Sequence, residues 1–290
     1  MKKIVILIPV YNDWDSLLKL FNEINLQANN LKEVQFRCVV INDASNIDKP
    51  IIKVPTNIDS IEIIDMKNNI GHARCNAFGV RYLSKLDNFD FLIVMDGDGE
   101  DRPEEIKTLI DKAANNSQLS VVAKRIKRSE GPIFRLLYEA HKLITFLFTG
   151  KKINFGNYSC LTKKDVNRLS CKASLWSSFS GTFKKYISEY NEIDSLRGKR
   201  YFGPSKMSLL KLILHSFSII AVFRNIVFFR SAVVIVASSF TINYLGNYLV
   251  VFQILLVLFN LLIFFVSLRE NAKNFDKLFN SKNKSLIITQ

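Results

Sequence analysis

At 290 residues, the chain has room for one sizeable α/β domain and an appendage. Lys and Arg outnumber Asp and Glu by 40 to 26, and the formal net charge of +14 favours anionic partners. The sequence has no zinc-finger spacing, aromatic RNA-binding signature or long basic run, so we exclude nucleic acid. The basic residues cluster near the apolar carboxyl-terminal part, which favours anionic lipid headgroups. Four separated cysteines without a CxxC pair indicate a reducing cytosolic setting.

Short runs rich in Val, Ile and Phe alternate with helical patterns up to Lys124. The runs predict strands at Ile4–Val10, Val34–Ile41, Ser60–Asp65, Phe89–Met95 and Leu119–Lys124. The patterns between and after them predict helices at Trp14–Ala28, Gly71–Leu86, Pro103–Ala114 and Ile133–Phe148. Alternating strands and helices form a mainly parallel sheet flanked by helices, and such sheets bind ligands beyond the carboxyl ends of their strands. Residues 149–200 show no clear pattern.

Most of the apolar excess lies after Met207. Met207–Phe223 predicts an amphipathic helix on a membrane surface, and Ile226–Leu245 and Asn247–Leu268 predict a transmembrane hairpin. Basic residues flank the hairpin on both sides, so both ends are expected in the cytosol. A core hairpin of a soluble protein is the less favoured alternative. We therefore predict a cytosolic domain at 1–206, a membrane-surface helix at 207–225, two transmembrane helices at 226–268 and a basic cytosolic tail at 269–290.

The strongest local signal is an acidic turn after the apolar run Phe91–Met95. Asp96, Asp98 and Glu100 point to one side of an extended chain, where their charges repel unless a cation neutralises them. Mg²⁺ or Mn²⁺ suits such a site, held by one or two carboxylates and completed by water and substrate phosphates. A solvated acidic turn is the alternative interpretation. The position of the turn at the end of a buried strand favours the metal.

Two more polar clusters follow the first two predicted strands. Pro9, Tyr11 and Asp13 lie in the first cluster, and Asp43 lies in the second. Residues of these types also form ordinary turns. Because three strand ends of one sheet converge on one crevice, a binding site is the sharper hypothesis: Tyr11 can pack on a base, and Asp43 can accept a base N–H.

The segments IPVYND, NDAS, NNIGHARCNAFG and MDGDGEDRPEEI resemble family 2 glycosyltransferases, with the greatest similarity to dolichyl-phosphate mannose synthase and bacterial polyprenyl-phosphate sugar synthases. RYFGPSK at 200–206 resembles the R-x-x-G-x-S-K segment that precedes the membrane helices of this family. Members with two such helices are known, which matches the predicted hairpin. The resemblance implies a GT-A-like fold.

The resemblance also implies roles for individual residues. The residues expected to contact the nucleoside are Pro9, Tyr11, Asp13 and Asp43. Asp96 and Asp98 are expected to be the catalytic metal ligands, with Glu100 as a further ligand. The residues expected to bind the acceptor phosphate are Arg125, Arg135, Arg200 and Lys206.

The reaction implied is an inverting transfer of a sugar from a UDP- or GDP-linked donor to a polyprenyl phosphate, with Mg²⁺ or Mn²⁺. The enzyme is expected to be a multi-pass protein of the inner (plasma) membrane, with its catalytic domain in the cytoplasm; a homo-oligomer is left open. Many relatives have Gly-Asp-Phe-Arg-Leu where this chain has Gly156-Asn157-Tyr158-Ser159-Cys160. The alternatives are therefore transfer to another membrane acceptor, or a catalytically inactive, membrane-tethered sugar-nucleotide-binding protein. We assign no role to His72, His141 or His215.

Overall fold

A computed structural model describes residues 1–115, 119–127, 132–204, 209–241 and 246–290. The strands are β1 (Lys2–Val10), β2 (Val34–Asn42), β3 (Ser60–Met66), β4 (Phe91–Val94), β5 (Val121–Lys127), β6 (Phe155–Thr162), β7 (Asn191–Leu196) and β8 (Lys282–Thr289). The longer helices are α1 (Trp14–Asn29), α2 (His72–Ser84), α3 (Ile106–Asn115), α4 (Pro132–Thr149), α5 (Lys163–Ser170), α6 (Phe179–Tyr186), α7 (Leu209–Ala221), α8 (Arg224–Ser239) and α9 (Asn247–Ser267). A short helix, α10, covers Ala272–Asp276, and 3₁₀ turns cover Pro103–Glu105, Ala173–Trp176 and Lys277–Ser281.

The strands of the described residues form one sheet in the order β7-β5-β6-β4-β1-β2-β3-β8. β4, β1, β2 and β3 are parallel neighbours, whereas β6 and β8 join this central group antiparallel. The predicted mainly parallel sheet is thus confirmed at its centre, with antiparallel additions on both sides. The carboxyl ends of β4, β1 and β2 lie side by side, which is where ligands of such sheets bind.

Alternation along β1 supplies both layers of the core. Ile6 faces α1 and packs with Phe21, whereas Leu7 faces α2 and packs with Phe78. Gly79 brings α2 close to the sheet, because a Cβ atom there would lie 2.2 Å from a methyl group of Leu7. The parallel strands are therefore covered on both faces, as their continuous apolar runs predict.

A buried charged group joins two strands and a helix. Glu62 in β3 is 1% exposed, and it forms an ion pair with Arg37 of β2 at 2.5 Å. The hydroxyl of Tyr82 in α2 donates to the other Glu62 carboxylate oxygen at 2.7 Å. This network satisfies a carboxylate that would otherwise be costly to bury.

The carboxyl-terminal residues form a part of the folded domain that the sequence did not predict. We expected 269–290 to be a basic tail; instead, α10 and a 3₁₀ turn lead into β8, which pairs antiparallel with β3 from Ser60 opposite Thr289 to Asp65 opposite Lys284. The ring of Phe275 is buried against α2. The free edge of β3 offers unpaired N–H and C=O groups, and β8 satisfies them.

The apolar helices differ from the predicted hairpin in their first half. Within the described residues, only α9 is long and apolar enough by itself to span a membrane; α7 and α8 reach that length only as a pair, which is bent by 82°. The predicted helix Ile226–Leu245 corresponds to α8 up to Ser239, and its residues 242–245 lie outside the described residues. The 16 residues of α8 extend about 24 Å, short of the roughly 30 Å of a bilayer core. The chain turns before Arg224, so part of the apolar length lies in α7.

Candidate active site

The loops after β1, β2 and β4 meet at one edge of the sheet. The Asp43 N–H donates to the carbonyl of Val10 at 2.9 Å, and the Asn12 N–H donates to the Ser45 hydroxyl at 2.9 Å. The Met95 N–H donates to the carbonyl of Leu7 at 3.1 Å. The three polar clusters of the sequence therefore surround one crevice.

The residues predicted to contact a nucleoside lie at this crevice and differ in how exposed they are. Pro9 is buried in β1, whereas the Tyr11 side chain is 41% exposed. The buried carboxylate of Asp43 accepts from the N–H groups of Ile70 at 2.6 Å and Gly71 at 2.9 Å. Burial raises the pKa of Asp43, and these two hydrogen bonds oppose the increase. Asp43 thus shapes the loop before α2, and its contact with a nucleobase stays a prediction.

Asp96 lies opposite a histidine. Its Oδ1 atom is 2.8 Å from Nε2 of His72 and 3.5 Å from Nδ2 of Asn157. Burial by itself would raise the pKa of Asp96, but the charges of His72, Arg197 and Arg125 hold it below its ordinary value. Asp96 is therefore an anion at neutral pH.

Asp98 is bound by an arginine that the sequence assigned to the acceptor. The guanidinium of Arg200 forms ion pairs with Asp98 and, at 2.5 Å, with Asp13. Arg200 therefore bridges the turn after β1 and the turn after β4. Burial raises the pKa of Asp98 to about 6, and the charge of Asp96 adds to the increase. Contact of Arg200 with an acceptor phosphate stays a prediction.

A segment that we call the basic strap, residues 197–202, covers the acidic turn. Its Arg197 forms an ion pair with Glu100, and its Gly198 N–H donates to the Glu100 carbonyl at 2.8 Å. Its Tyr201 packs on Gly99, which has a φ of +86°; a Cβ atom there would lie 2.6 Å from the tyrosine ring. The strap thus neutralises two of the turn's carboxylates from outside the sheet.

A fourth carboxylate, Asp101, supports the turn from within. It is 4% exposed and accepts the backbone N–H of Asp96 at 2.9 Å. Burial, together with the charge of Asp96, raises the pKa of Asp101 to about 7. Asp101 therefore positions the Asp96 backbone.

The remaining predicted phosphate-binding residues are placed unevenly. The Arg125 guanidinium lies against Gly156, where a Cβ atom would be 2.4 Å from Nη2. Gly156, the first residue of the segment that differs from many relatives, has no side chain and therefore leaves room for Arg125 beside Asp96 and Asp101. Arg135 lies in α4, but its side chain is outside the described part of the chain, as is the whole of Lys206.

The donor set fits a divalent cation held by two carboxylates. No group of three or more His, Cys, Asp or Glu side chains among the described residues could hold a metal ion. Glu100 is engaged by Arg197, so its place as a third ligand stays a prediction. Mg²⁺ needs only one or two carboxylates when phosphates and water complete its shell, which Asp96 and Asp98 can supply.

The sequence analysis missed three residues of this site: His72, Asp101 and Arg197. A signal for them existed, because several neighbouring acids in a buried turn need nearby cations. His72 follows Gly71 at the start of a predicted helix, and Arg197 lies near Arg200. Neither position shows by itself which acid it meets.

The sheet order, the acidic turn after β4 and the crevice between strand ends define an α/β domain of the GT-A class. The family model of "Glycosyl transferase family 2" matches residues 5–179, which is more than half of the chain. The chain belongs to this family, and the resemblance seen in the sequence motifs is confirmed.

Curated relatives carry the name undecaprenyl-phosphate 4-deoxy-4-formamido-L-arabinose transferase. The protein from Klebsiella pneumoniae is 27% identical over 222 residues, and that from Photorhabdus laumondii is 28% identical over 224 residues. Each match covers 73% of this chain and 65% of the relative, so the chain spans about two thirds of the length of these relatives.

Solved structures support the fold. Glucosyl-3-phosphoglycerate synthase from Mycobacterium tuberculosis, in complex with Mn²⁺, UDP and phosphoglyceric acid, matches with a TM-score of 0.53 at 14% identity and covers 78% of both chains. The same enzyme with Mg²⁺ and UDP matches with a TM-score of 0.50 at 12% identity, over 78% of this chain and 79% of that one.

Proposed function

We propose that this protein transfers a sugar from a UDP- or GDP-linked donor to the phosphate of a polyprenyl phosphate, with inversion at the anomeric carbon. The proposal is supported by the family, by the names of its curated relatives and by the crevice described above. The single observation that carries it is the acidic turn: Asp96 and Asp98 lie at the carboxyl end of β4, where the polar ends of β1 and β2 also meet.

The residues of the crevice divide the work between donor and acceptor. Asp96 and Asp98 would hold Mg²⁺ or Mn²⁺, which neutralises charge on the departing diphosphate when it is bound. An oxygen of the acceptor phosphate forms the new bond to the anomeric carbon as the bond to the nucleoside diphosphate breaks. A phosphate monoester with a second pKa of about 6 is already largely ionised at neutral pH, so the attack needs no general base. Asn157 beside Asp96 is consistent with that chemistry.

Arg200 would compete with a bound cation for Asp98. Its guanidinium neutralises Asp13 and Asp98 in the described structure, and a cation bound at Asp98 would replace it there. Arg200 would then be available to a phosphate in the crevice.

The path of the chain supports a membrane protein whose folded domain lies on one side of the bilayer. Because β8 pairs with β3, the residues after α9 lie on the same side as the domain that precedes α7. A chain that starts and ends on one side crosses a bilayer an even number of times, so α9 and the bent pair α7–α8 would together form two passages. Basic residues at both ends of this apolar part, among them Lys211 near the start of α7 and Arg269 after α9, favour the cytosolic side of the inner membrane.

A donor screen on the purified full chain tests the function. The protein is incubated with UDP- and GDP-linked sugars, Mn²⁺ and a short-chain polyprenyl phosphate, and the lipid product is tested for acid lability. We expect an acid-labile, polyprenyl-linked sugar with at least one donor, whose formation is abolished by excess chelator and in D98N. Sugar transferred to another lipid would support the alternative of a different membrane acceptor. No turnover with any donor would support the alternative of a catalytically inactive sugar-nucleotide-binding protein. Full activity of D98N would reject the metal site.

A further inference from the structure

Asp96 lies opposite Asn157 because of the register between β4 and β6. The antiparallel pairing matches Val94 with Ser159, so two residues further along β4 and two residues back along β6 the chain brings Asp96 and Asn157 together. Oδ1 of Asp96 is 3.5 Å from Nδ2 of Asn157, and the Ser159 hydroxyl donates to the Asn157 carbonyl at 2.9 Å. A carboxylate directly across from Asp96 would repel it, whereas the amide donates to it.

His72 reaches the same oxygen from the start of α2. Its Nε2 atom is 2.8 Å from Oδ1 of Asp96. The imidazolium and one neutral tautomer both carry a proton on Nε2, so the ring can donate in either form. The backbone that carries the ring is fixed by the loop before it, since the Asp43 carboxylate accepts the N–H groups of Ile70 and Gly71. The ring and the amide of β6 therefore converge on one carboxylate oxygen.

The second carboxylate oxygen of Asp96, Oδ2, remains available. It accepts no hydrogen bond from the described residues, and the side chain is 19% exposed. The backbone N–H of Asp96 is held by Asp101 at 2.9 Å. With its backbone and one oxygen already fixed, this carboxylate would lose little further freedom on binding a cation.

Asp98 differs from Asp96, because both of its carboxylate oxygens already have donors. Its Oδ2 forms the ion pair with Arg200, and its Oδ1 accepts the backbone N–H of Glu100 at 3.0 Å. A cation at Oδ2 of Asp98 would have to displace a guanidinium, whereas a cation at Oδ2 of Asp96 would displace no side chain of the described residues. The two acids of the turn are therefore not equivalent.

We propose that His72 and Asn157 are positioning residues for the cation: they hold Oδ1 of Asp96, leave its Oδ2 for the metal, and make Asp96 the pre-positioned carboxylate of the pair. The inference rests on the proposed function and deepens it, because it gives a role to two residues outside the acidic turn. Partners that orient a metal ligand typically contribute about tenfold to about a hundredfold to metal affinity. The amide at 157, where many relatives have an aspartate, supplies the second donor of this arrangement.

Binding of Mn²⁺ to the full chain in detergent, without donor or lipid, tests the positioning role by electron paramagnetic resonance of the free ion. We expect His72→Leu, which removes the donor, to weaken binding by about tenfold or more. Asn157→Ala removes a longer contact and should weaken it roughly threefold to fivefold. His72→Gln keeps an N–H donor and should stay within about threefold of the wild type. His141→Leu makes the same change at a ring that contacts Thr145 in α4, and as the matched control it should leave the affinity unchanged.

Pulsed electron paramagnetic resonance of bound Mn²⁺ separates a positioning residue from a metal ligand. An imidazole that coordinates Mn²⁺ gives a coupling to its ¹⁴N nucleus. We expect no such coupling in the wild type, and a coupling that disappears in His72→Gln overturns the proposal. Since the expected defect is one of affinity, saturating Mn²⁺ should restore the kcat of His72→Leu, whereas Asp96→Asn should stay inactive.

The affinities also separate this inference from the proposed function. Unchanged or tighter Mn²⁺ binding in folded His72→Leu and Asn157→Ala overturns the positioning role, and so does equal weakening in His72→Leu and His72→Gln. Binding that Asp96→Asn leaves intact rejects the metal site together with this inference. Binding that depends on Asp96 and His72, without turnover on any donor, rejects the proposed function and retains the positioning role.

Discussion

Arg200 is expected to compete with a divalent cation for Asp98, and the substitution Arg200→Gln measures that competition. In the wild type, a cation that binds Asp98 must displace a charge-assisted hydrogen bond worth about 1.5–3 kcal/mol. Both side chains are only 16% exposed, so solvent screens the pair weakly. Since about 1.4 kcal/mol corresponds to a factor of ten, R200Q should bind Mn²⁺ about tenfold or more tightly in the absence of donor. Electron paramagnetic resonance of free Mn²⁺ gives this affinity directly.

The matched control is Arg102→Gln. Arg102 lies next to the acidic turn and pairs with Glu104 at 3.5 Å, so R102Q removes the same charge without touching Asp98. If R200Q remains folded by circular dichroism and its Mn²⁺ affinity is unchanged or weaker, the competition does not exist. Equal tightening in R102Q and R200Q would attribute the effect to net charge alone.

Three further predictions test the packing and the charge of the fold. Gly99→Ala should lower the free energy of unfolding by about 1–3 kcal/mol in chemical denaturation, because its new Cβ atom would lie 2.6 Å from the Tyr201 ring. Gly203→Ala is the control: Gly203 also has a positive φ, but nothing lies within 4 Å of its Cβ position, so its loss should be smaller. Equal losses in the two variants would contradict the prediction. Glu62→Ala should lower stability by about 3–5 kcal/mol, since it strips a buried ion pair, and a loss below 1 kcal/mol would refute that role. The pKa of Asp101 is raised from 3.8 to about 7, so the folded state holds the proton more tightly than the unfolded state, and stability falls as pH rises through that window. Metal-free D101N should therefore show a smaller fall in Tm than the wild type between about pH 5 and about pH 8. An unchanged slope of Tm against pH would show that Asp101 is not the titrating group.

Local patterns predicted most of the central sheet and its helices. The apolar run before Asp96 predicted β4, the helix predicted at Ile133–Phe148 is α4 at Pro132–Thr149, and the apolar segment from Asn247 is α9. In each case a continuous stretch of residues shows the apolar pattern of an element that is buried on one or both faces. The acidic turn was visible for the same reason, since its charges are adjacent in the chain.

The segment at 149–200 shows the limit of such patterns. β6 and β7 within it pair with strands that are distant in the sequence: β6 pairs with β4 and β5, and β7 pairs with β5. The strand β8 was missed in the same way: its residues 282–289 are mostly exposed, and only the free edge of β3 makes them a strand. Propensity is weak where pairing decides the conformation.

The sequence by itself determined that acids follow a buried strand, that three polar clusters end neighbouring strands and that an apolar helix follows the domain. The tertiary structure alone decided which charges meet: Arg200 binds Asp98 from 102 residues away, and His72 binds Asp96 from 24 residues away. Burial periodicity is a property of consecutive residues, and sequence therefore displays it. Ion pairs depend on how the chain returns to a site, and that path is set by the packing of the whole sheet.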